Sequence, residues 1–342
     1  MASRCPGRGR RVRSRFGRRR PAAEVDLSTV VGSVALPHPL LGASGTAGYG
    51  AELAQYFDLS TVGGIVTKSL APFEWAGNPA PRVHETAGGM INSVGLQGPG
   101  VEAWLDHELP ELLATGTRVV ASIWGRTVAD YEAAATMLAD APAGVIAVEV
   151  NISCPNTEDG GKMFAHSVAA TTEVVEATSG CKRPRWAKLS PNTLEVAEIA
   201  LAAAGAGAEA VTLTNTLIGM AIDPETGRPR LGGVTGGLSG PAMHPVAVRA
   251  VYQTAQADPH LPIIGVGGVA SAADVVEFLL AGARAVQIGT ATFADPRSLA
   301  RIGAELATWC SRRGITRVAD LIGGAHPDWP QPLSSTSTLT NP

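Results

Sequence analysis

The chain has 342 residues, of which 45% are hydrophobic and 17% are charged. That balance excludes an intrinsically disordered protein, which would contain fewer apolar residues and more charge. Residues 1–20 contain nine arginines and no acidic residue, so the rest of the chain carries 18 basic against 30 acidic side chains. An acidic body of this kind argues against a nucleic-acid-binding protein. The four cysteines lack CxxC spacing, so we expect a cytoplasmic protein with neither a disulfide framework nor a metal site.

The two ends of the chain differ in composition from the region between them. Residues 1–25 have no apolar stretch of the kind that a secretory signal requires, and we interpret them as a disordered, arginine-rich arm. Residues 326–342 are rich in Pro, Ser and Thr and are interpreted as a flexible tail. One catalytic domain is therefore predicted over residues 26–325. An uncharged run at 231–248 contains five glycines and two prolines, which favours a loop over a membrane helix.

Short apolar runs alternate with longer helical patterns throughout this domain. Each run has four to eight residues, is rich in Val and Ile and has almost no charge, which is typical of a parallel strand buried on both faces. The predicted strands span residues 40–44, 62–69, 118–123, 145–152, 185–189, 210–215, 262–267 and 285–290. The predicted helices lie near residues 50–57, 99–114, 127–140, 167–178, 193–204, 243–256, 271–281 and 296–313.

Eight strand–helix repeats predict an α/β fold of the (β/α)8 TIM-barrel type. A doubly wound sheet is the alternative, but no GxGxxG motif follows the first strand. Residues 30–36 are predicted to form a short hairpin at the floor of the barrel, the end at which its strands begin. We also expect helix caps at Thr127, Ser167, Thr193 and Ser271.

Two of the four lysines, Lys68 and Lys188, end predicted strands and have no acidic neighbour in the sequence. In a TIM barrel the chemistry lies at the mouth, the end at which the strands finish. The two lysines could lie at the edge of the barrel, with their aliphatic parts on apolar surface and their ammonium groups in solvent. Alternatively, they place a compact ammonium inside the mouth, against an anion or a reduced cofactor.

Asparagines repeat this pattern: Asn92, Asn151, Asn156 and Asn215 fall at or just beyond strand ends. Asparagine favours turns, so each position has a purely structural explanation. Together, the amides could instead recognise a flat ring with alternating N–H and C=O groups, since each amide offers a donor and an acceptor.

Glycine-rich turns follow the last two predicted strands, at residues 265–268 and 289–290. In such barrels these two loops commonly hold a phosphate through backbone N–H groups. With the lysines, they indicate a phosphorylated cofactor such as FMN.

Cys154 lies just past the fourth predicted strand, before a proline and a polar, glycine-containing stretch. A cysteine is more often a small buried hydrophobe, which is our interpretation of Cys181 and Cys310. A thiol over the mouth can instead act as a base. No zinc spacing, Ser-His-Asp set or close carboxylate pair competes with Cys154 for that role.

The segments around these positions resemble the dihydroorotate dehydrogenases, and specifically their class 1 branch. NISCPN at 151–156 is similar to that family's active-site loop, in which cysteine is the base. MINSVGLQGPG at 90–100 is similar to the substrate loop. LTNTLIGMAID at 213–223 and GGVTGGLSGP at 232–241 resemble type B members within class 1. The similarity covers roughly residues 27–315.

The resemblance implies a set of contacts at the mouth of the barrel. Cys154 would be the catalytic base, and Lys188 would lie near the N1/O2 edge of FMN, where its charge stabilises the reduced ring. FMN contacts are implied for Ser44, Lys68, Ser69, Ser122, Asn151, Lys188, Thr214, Gly240, Gly267, Gly268, Gly289 and Thr290. Substrate contacts are implied for Lys68, Asn92, Ser93, Val94, Gly95, Leu96, Asn151, Asn156, Asn215 and Thr216. Gly98, Ser122 and His244 depart from the Asn, Asn and Lys that are usual in the family.

The activity implied is oxidation of (S)-dihydroorotate to orotate in de novo pyrimidine (UMP) biosynthesis. Cys154 would take a proton from C5 while C6 delivers hydride to N5 of FMN. Type B resemblance also implies a homodimeric core and a separate electron-transfer subunit that carries FAD and a 2Fe–2S cluster, since this chain has neither a dinucleotide fingerprint nor a cysteine cluster. Two alternatives stay open: an FMN-dependent reductase of another dihydropyrimidine, and a non-catalytic flavin-binding scaffold subunit.

Overall fold

A closed barrel of eight parallel strands forms the centre of the molecule. The computed structural model describes residues 25–153 and 164–330, and within them each barrel strand pairs with the next one along the chain and the last pairs with the first. This arrangement confirms the predicted (β/α)8 architecture. The strands of the described residues are β1 (Thr29–Val31), β2 (Val34–Leu36), β3 (Leu40–Gly42), β4 (Gly64–Val66), β5 (Val83–Thr86), β6 (Gly89–Asn92), β7 (Val119–Ile123), β8 (Val145–Asn151), β9 (Arg185–Lys188), β10 (Ala210–Leu213), β11 (Leu217–Gly219), β12 (Gly236–Ser239), β13 (Ile263–Val266) and β14 (Ala285–Ile288). The barrel consists of β3, β4, β7, β8, β9, β10, β13 and β14.

Helices connect the barrel strands and cover them from outside. They are α1 (Val101–Asp106), α2 (Glu108–Ala114), α3 (Val128–Met137), α4 (Val168–Ala177), α5 (Val196–Gly205), α6 (His244–Ala257), α7 (Ala272–Leu280), α8 (Ala291–Ala294) and α9 (Ser298–Arg312). The caps predicted at Thr127, Ser167 and Ser271 are confirmed. The cap predicted at Thr193 is wrong, because its hydroxyl accepts the backbone N–H of Glu195 in a tight turn and α5 begins one residue after that.

Two predicted helices are interrupted for local reasons. The helix predicted near residues 99–114 is split into α1 and α2, since Pro110 has no N–H to donate to the carbonyl of Asp106 and its ring clashes there. The helix predicted near residues 50–57 is only a 3-10 turn at Glu52–Gln55. It does not continue because Asp58 has an extended backbone and its carboxylate accepts the N–H of Ser60, which starts a new turn.

The N-terminal hairpin of β1 and β2 closes the floor of the barrel, as predicted. Its apolar side chains, Val31, Val34 and Leu36, pack in one buried cluster with a side chain from each of the eight barrel strands. Those eight side chains are Leu41, Val66, Val120, Ala147, Trp186, Ala210, Ile264 and Ala285. We call this cluster the floor layer. Its members are buried hydrophobic side chains, so a packed core fills this end of the barrel.

A four-stranded antiparallel sheet of β5, β6, β12 and β11 lies at the mouth of the barrel, and the sequence did not predict it. Its strands come from two separate connections, β4 to α1 and β10 to α6. The two halves join where β6 pairs with β12, with Asn92 opposite Gly237 and Met90 opposite Ser239. We call this element the cap sheet.

The end of the described chain packs against the barrel. The ring of His326 stacks on Tyr252 with centroids 4.0 Å apart, and its Nε2 lies 2.9 Å from the carbonyl oxygen of Ala281. Trp329 lies beside His326. These residues belong to the predicted tail, whose remainder lies outside the described residues, as does the predicted arm up to residue 24. Within the described parts of the chain, no helix is both long and apolar enough to cross a membrane.

Candidate active site

A cavity of about 300 Å³ lies at the mouth of the barrel, bounded by the ends of the strands and by the cap sheet. Most of the predicted site residues line it: Ser44, Lys68, Ser69, Asn92, Val94, Gly95, Leu96, Asn151, Lys188, Thr214, Asn215, Thr216, Gly240, Gly267, Gly268, Gly289 and Thr290. The sequence reasoning missed Ala43, Gly45, Thr46, Val83, Met90, Ser153, Ser239, Met243, Val266 and Phe293, which also line it. Proximity to a predicted strand end could have pointed to some of these, but not to Val83, Met90 and Ser239, which belong to the cap sheet.

Two predicted site residues lie just behind the cavity wall. Ser122 is fully buried, and its hydroxyl is 2.9 Å from that of Ser69, which does line the cavity. The hydroxyl of Ser93 accepts a hydrogen bond from Asn78 Nδ2 at 2.8 Å. Ser122 therefore supports a residue of the cavity wall, whereas the Asn78 partner of Ser93 lies outside the cavity lining.

Cys154 and Asn156 lie outside the described residues. Ser153, the residue before Cys154, lines the cavity, and its hydroxyl donates to the carbonyl oxygen of Lys188 at 3.3 Å. The chain therefore leaves β8 at the cavity wall immediately before the predicted base.

Lys188, at the end of β9, is buried and faces a carboxylate inside the barrel. Its Nζ is 3.4 Å from Glu149 Oε1 on β8 and 3.4 Å from Gln287 Oε1 on β14. Glu149 Oε2 accepts hydrogen bonds from Gln287 Nε2 at 2.7 Å and from Thr212 Oγ1 at 3.2 Å. Lys188 has no acidic neighbour in the sequence but has one in space, because β8 and β9 pair side by side in the barrel.

Lys68 follows β4 and lines the same cavity in a different electrostatic setting. Burial lowers the pKa of its ammonium, and the positive charge of Arg82 lowers that pKa further. No acidic side chain lies within 4 Å of Lys68 in the part of the chain that is described. An anion bound in the cavity would supply the missing negative charge.

Hydroxyls and amides form a connected polar wall between the two lysines. Asn151 Nδ2 donates to Ser69 Oγ at 3.1 Å, and Asn215 Nδ2 donates to Asn151 Oδ1 at 3.2 Å. The hydroxyls of Ser44 and Ser69 lie 3.3 Å apart. These bonds fix the orientation of the amides, as recognition of a planar ligand requires.

The loops that follow β13 and β14 form one side of the cavity, and glycines expose their main chain there. Gly268 has a positive φ of 71°, and a Cβ there would lie 2.7 Å from His244 Cβ and 2.8 Å from the carbonyl oxygen of Gly240. A Cβ on Gly267 would lie 2.7 Å from Ala247 Cβ. Glycine is therefore required at both positions, because a side chain there would collide with α6 and with the main chain before it.

His244, a departure from the usual lysine, holds this loop. Its Nδ1 lies 2.8 Å from the carbonyl oxygen of Gly267 and its Nε2 lies 3.1 Å from Glu277 Oε2 on α7. Another of the three departures, Gly98, also has a local explanation, since a Cβ there would overlap the hydroxyl of Tyr49. An asparagine at residue 98 would require Tyr49 to move.

The predicted substrate loop rests on an aromatic cluster. Phe73, Trp75 and Trp124 form edge-to-face pairs with ring centroids 6.2–6.3 Å apart. Trp75 Nε1 donates to the carbonyl oxygen of Gly95 at 3.0 Å, and Leu96 packs on the same cluster. The cluster therefore fixes the loop segment that lines the cavity.

Comparison with known proteins connects this geometry to a family. The family model described as dihydroorotate dehydrogenase matches residues 26–309. The chain belongs to the dihydroorotate dehydrogenase family. It is 48% identical over 304 residues to a protein of Desulforudis audaxviator, covering 89% of this chain and 98% of that protein. It is 46% identical over 299 residues to a protein of Geobacter sp. (strain M21), covering 87% and 97%. Both are named dihydroorotate dehydrogenase B (NAD(+)), catalytic subunit.

Dihydroorotate dehydrogenases are flavin-dependent oxidoreductases, and the cavity fits such a cofactor. The hydroxyl of Thr214 is buried at the cavity and has no hydrogen-bond partner in the described structure, which leaves it available to a ligand. The glycine wall at Gly267 and Gly268 suits a phosphate, and the Lys188 ammonium suits an electron-rich ring. The described residues contain no cluster of three or more metal-ligating acidic, His or Cys side chains.

Proposed function

We propose that this chain oxidises (S)-dihydroorotate to orotate in de novo pyrimidine biosynthesis, with FMN as its cofactor. The observation that supports this most strongly is one cavity that combines a buried ammonium, Lys188, with three oriented amides and a glycine wall. A flavin phosphate, a flavin ring and a pyrimidine each have a matching set of groups there.

Bound FMN would supply the hydride acceptor for the substrate. Lys188, Thr214, Gly267 and Gly268 would contribute to holding it, with the remaining predicted contacts around them. The ammonium of Lys188 would offset negative charge on the reduced ring, since an opposite charge in a dry site acts strongly.

Cys154 would remove the proton from C5 of the substrate. The neighbouring Ser153 lines the cavity, which supports this role for the next residue. A thiol whose ordinary pKa is near ~8.5 is a usable base when it is positioned beside the substrate.

Asn92, Asn151 and Asn215 would pair with the N–H and C=O groups of the pyrimidine, and Lys68 would face its anionic part. Each of these side chains lines the cavity. Because the lowered pKa of Lys68 comes from burial and from Arg82, a bound carboxylate would favour the charged form of this lysine.

The cheapest test uses the colour of the flavin. The purified chain should be yellow, and anaerobic dihydroorotate should bleach it, whereas dihydrouracil, which lacks the carboxylate, should bleach it far more slowly. Preferential bleaching by dihydrouracil would replace the proposed substrate by another dihydropyrimidine. No bleaching by either compound would favour a scaffold subunit.

The electron acceptor is proposed to be reached through a partner. Both relatives described above are named as NAD(+)-linked catalytic subunits, which supports a separate subunit carrying FAD and a 2Fe–2S cluster on a homodimeric, cytoplasmic core. Alone, the chain should reduce an artificial dye but hardly any NAD⁺, and the partner should restore NAD⁺ reduction. Steady turnover by the lone chain with fumarate, or full-rate NAD⁺ reduction without a partner, would contradict this assignment.

A further inference from the structure

Glu149 is a charged residue inside the barrel that the proposed chemistry does not use. Its side chain is 0% exposed and lies on the fourth barrel strand, β8, between the floor layer and the cavity. Burying a carboxylate is costly unless a countercharge and hydrogen bonds accompany it. Its position therefore calls for a function.

The two carboxylate oxygens of Glu149 have different partners. Oε2 accepts from Gln287 and Thr212, at 2.7 and 3.2 Å. Oε1 has no hydrogen-bond donor in the described structure, and its polar contact is the Nζ of Lys188 at 3.4 Å. One oxygen is thus fixed by neutral donors while the other faces the ammonium.

The hydrogen bonds hold the carboxylate from two sides. Thr212 lies on β10, which pairs with β9, the strand that carries Lys188. Gln287 lies on β14, which is separated from β8 by three strands in either direction around the barrel. The bond from Gln287 to Glu149 therefore crosses the full width of the barrel, so the carboxylate has little freedom to move away from Lys188.

We propose that Glu149 is a positioning residue that keeps Lys188 protonated and aimed at the cavity, so that the ammonium can act on the reduced cofactor. Burial alone would favour the neutral amine of a lysine. Glu149 supplies the only carboxylate within 4 Å of Lys188 among the described residues, and Gln287 Oε1 offers the ammonium a second acceptor. The role at the cofactor rests on the proposed function, whereas the charge relation between the two side chains does not.

The direct test measures the protonation of Lys188. The chain has four lysines, Lys68, Lys162, Lys182 and Lys188, so lysine labelled with ¹³C at Cε gives a spectrum that single Lys→Arg variants can assign. In the FMN-loaded protein at a fixed pH, we expect Glu149→Gln to move the Lys188 signal from that of an ammonium towards that of a neutral amine, because the facing carboxylate is lost. Thr212→Val is the matched control, because it removes one hydrogen bond to Glu149 but leaves its charge.

The midpoint potential of the bound flavin gives an independent readout. Glu149→Gln should shift it to a more negative value, in the same direction as Lys188→Met, and the double variant should shift it little further. An unchanged signal of Lys188, or a potential that is unchanged, moves to more positive values or changes additively in the double variant, would overturn the inference.

Folding failure of Glu149→Gln would also be informative. If the double variant with Lys188→Met folds where Glu149→Gln alone does not, the loss is due to an unpaired buried charge, as the inference requires. If neither folds, Glu149 acts through Gln287 and Thr212 alone and the inference is wrong. A parent protein that binds FMN but is not bleached by dihydroorotate would contradict the proposed function and leave the lysine measurement valid.

Discussion

The inward-facing side chains of the barrel form an apolar layer at the floor and a charged layer only a few residues nearer the mouth. At the floor, Ala147 and Trp186 belong to a layer of buried hydrophobic side chains. Two residues further along the same strands, Glu149 and Lys188 form a buried ion pair. Because alternate residues of a strand point to the same side, this single step of two residues separates a core that stabilises the fold from a site that can carry out chemistry.

This difference shows how the fold tolerates buried charge. The floor layer removes water by apolar packing, with each strand contributing one side chain. The polar layer above it can then satisfy Glu149 with Gln287, Thr212 and Lys188 without solvent. A substitution at the floor should therefore change stability, and a substitution at the mouth should change turnover.

The largest effect is expected at the floor. Trp186 is fully buried, and Trp186→Ala should lower the free energy of unfolding by about 3–5 kcal/mol, through lost burial and an unfilled cavity. Denaturant titration measures this. Trp186→Phe is the matched control and should cost much less, because the indole Nε1 is buried without a hydrogen-bond partner in the described structure. Equal losses in the two variants would contradict the packing role.

The second largest effect is expected at the mouth of the barrel, where a substitution should slow the reaction without changing the stability of the fold. Cys154→Ala should keep FMN bound but slow bleaching by dihydroorotate by on the order of 10²-fold or more, the usual contribution of a positioned base. Cys154→Ser should retain some activity, most visibly at high pH, because a hydroxyl is a weaker acid than a thiol. Cys181→Ala, at a buried cysteine in the turn between α4 and β9, serves as the control that should bleach normally. Near-normal bleaching by Cys154→Ala at neutral pH would remove this residue from the mechanism.

A smaller effect is expected beneath the substrate loop. Trp75→Phe keeps an aromatic ring in the cluster but removes the hydrogen bond to the Gly95 carbonyl oxygen, a loss of about 1 kcal/mol. KM for dihydroorotate should rise roughly 5-fold, with kcat changed less, because the loop is positioned less well. Trp309→Phe, on the surface helix α9, is a matched control. A fall in kcat with KM unchanged would show that Trp75 acts on the chemical step instead.

The smallest effect is expected outside the barrel. Deleting residues 1–25, the predicted arginine-rich arm, should leave the melting temperature and the flavin content nearly unchanged, because we propose that the folded domain begins after it. A large drop in either quantity would show that the arm packs on the barrel.

The barrel itself could be predicted from the sequence because its strands are buried on both faces. Such strands appear as short uncharged runs, and all eight predicted runs contain a barrel strand. The glycines at the cavity, Gly267 and Gly268, and the two lysines, Lys68 and Lys188, could be predicted for a related reason, since they lie where those runs end.

Contacts between distant segments could not be predicted in the same way. The cap sheet pairs short strands from two loops, and two of its residues are Gly236 and Gly237, which in sequence indicate a turn. Glu149 could not be predicted as a site residue, because in sequence it is a single acid inside an apolar run, and its pairing with Lys188 depends on how β8 and β9 are aligned in the barrel. Register between strands is set by the whole fold rather than by local composition.

The pairing of β6 with β12 also has a consequence for synthesis. Asn92 and Gly237 are 145 residues apart in the chain, and barrel strands β7 to β10 lie between them. At ribosomal rates of about 5–20 residues per second, the second half of the cap sheet emerges roughly 7–30 s after the first. During that interval a nascent chain has only two to six of the eight barrel strands and no complete cavity, so cofactor capture is an event of the nearly finished polypeptide.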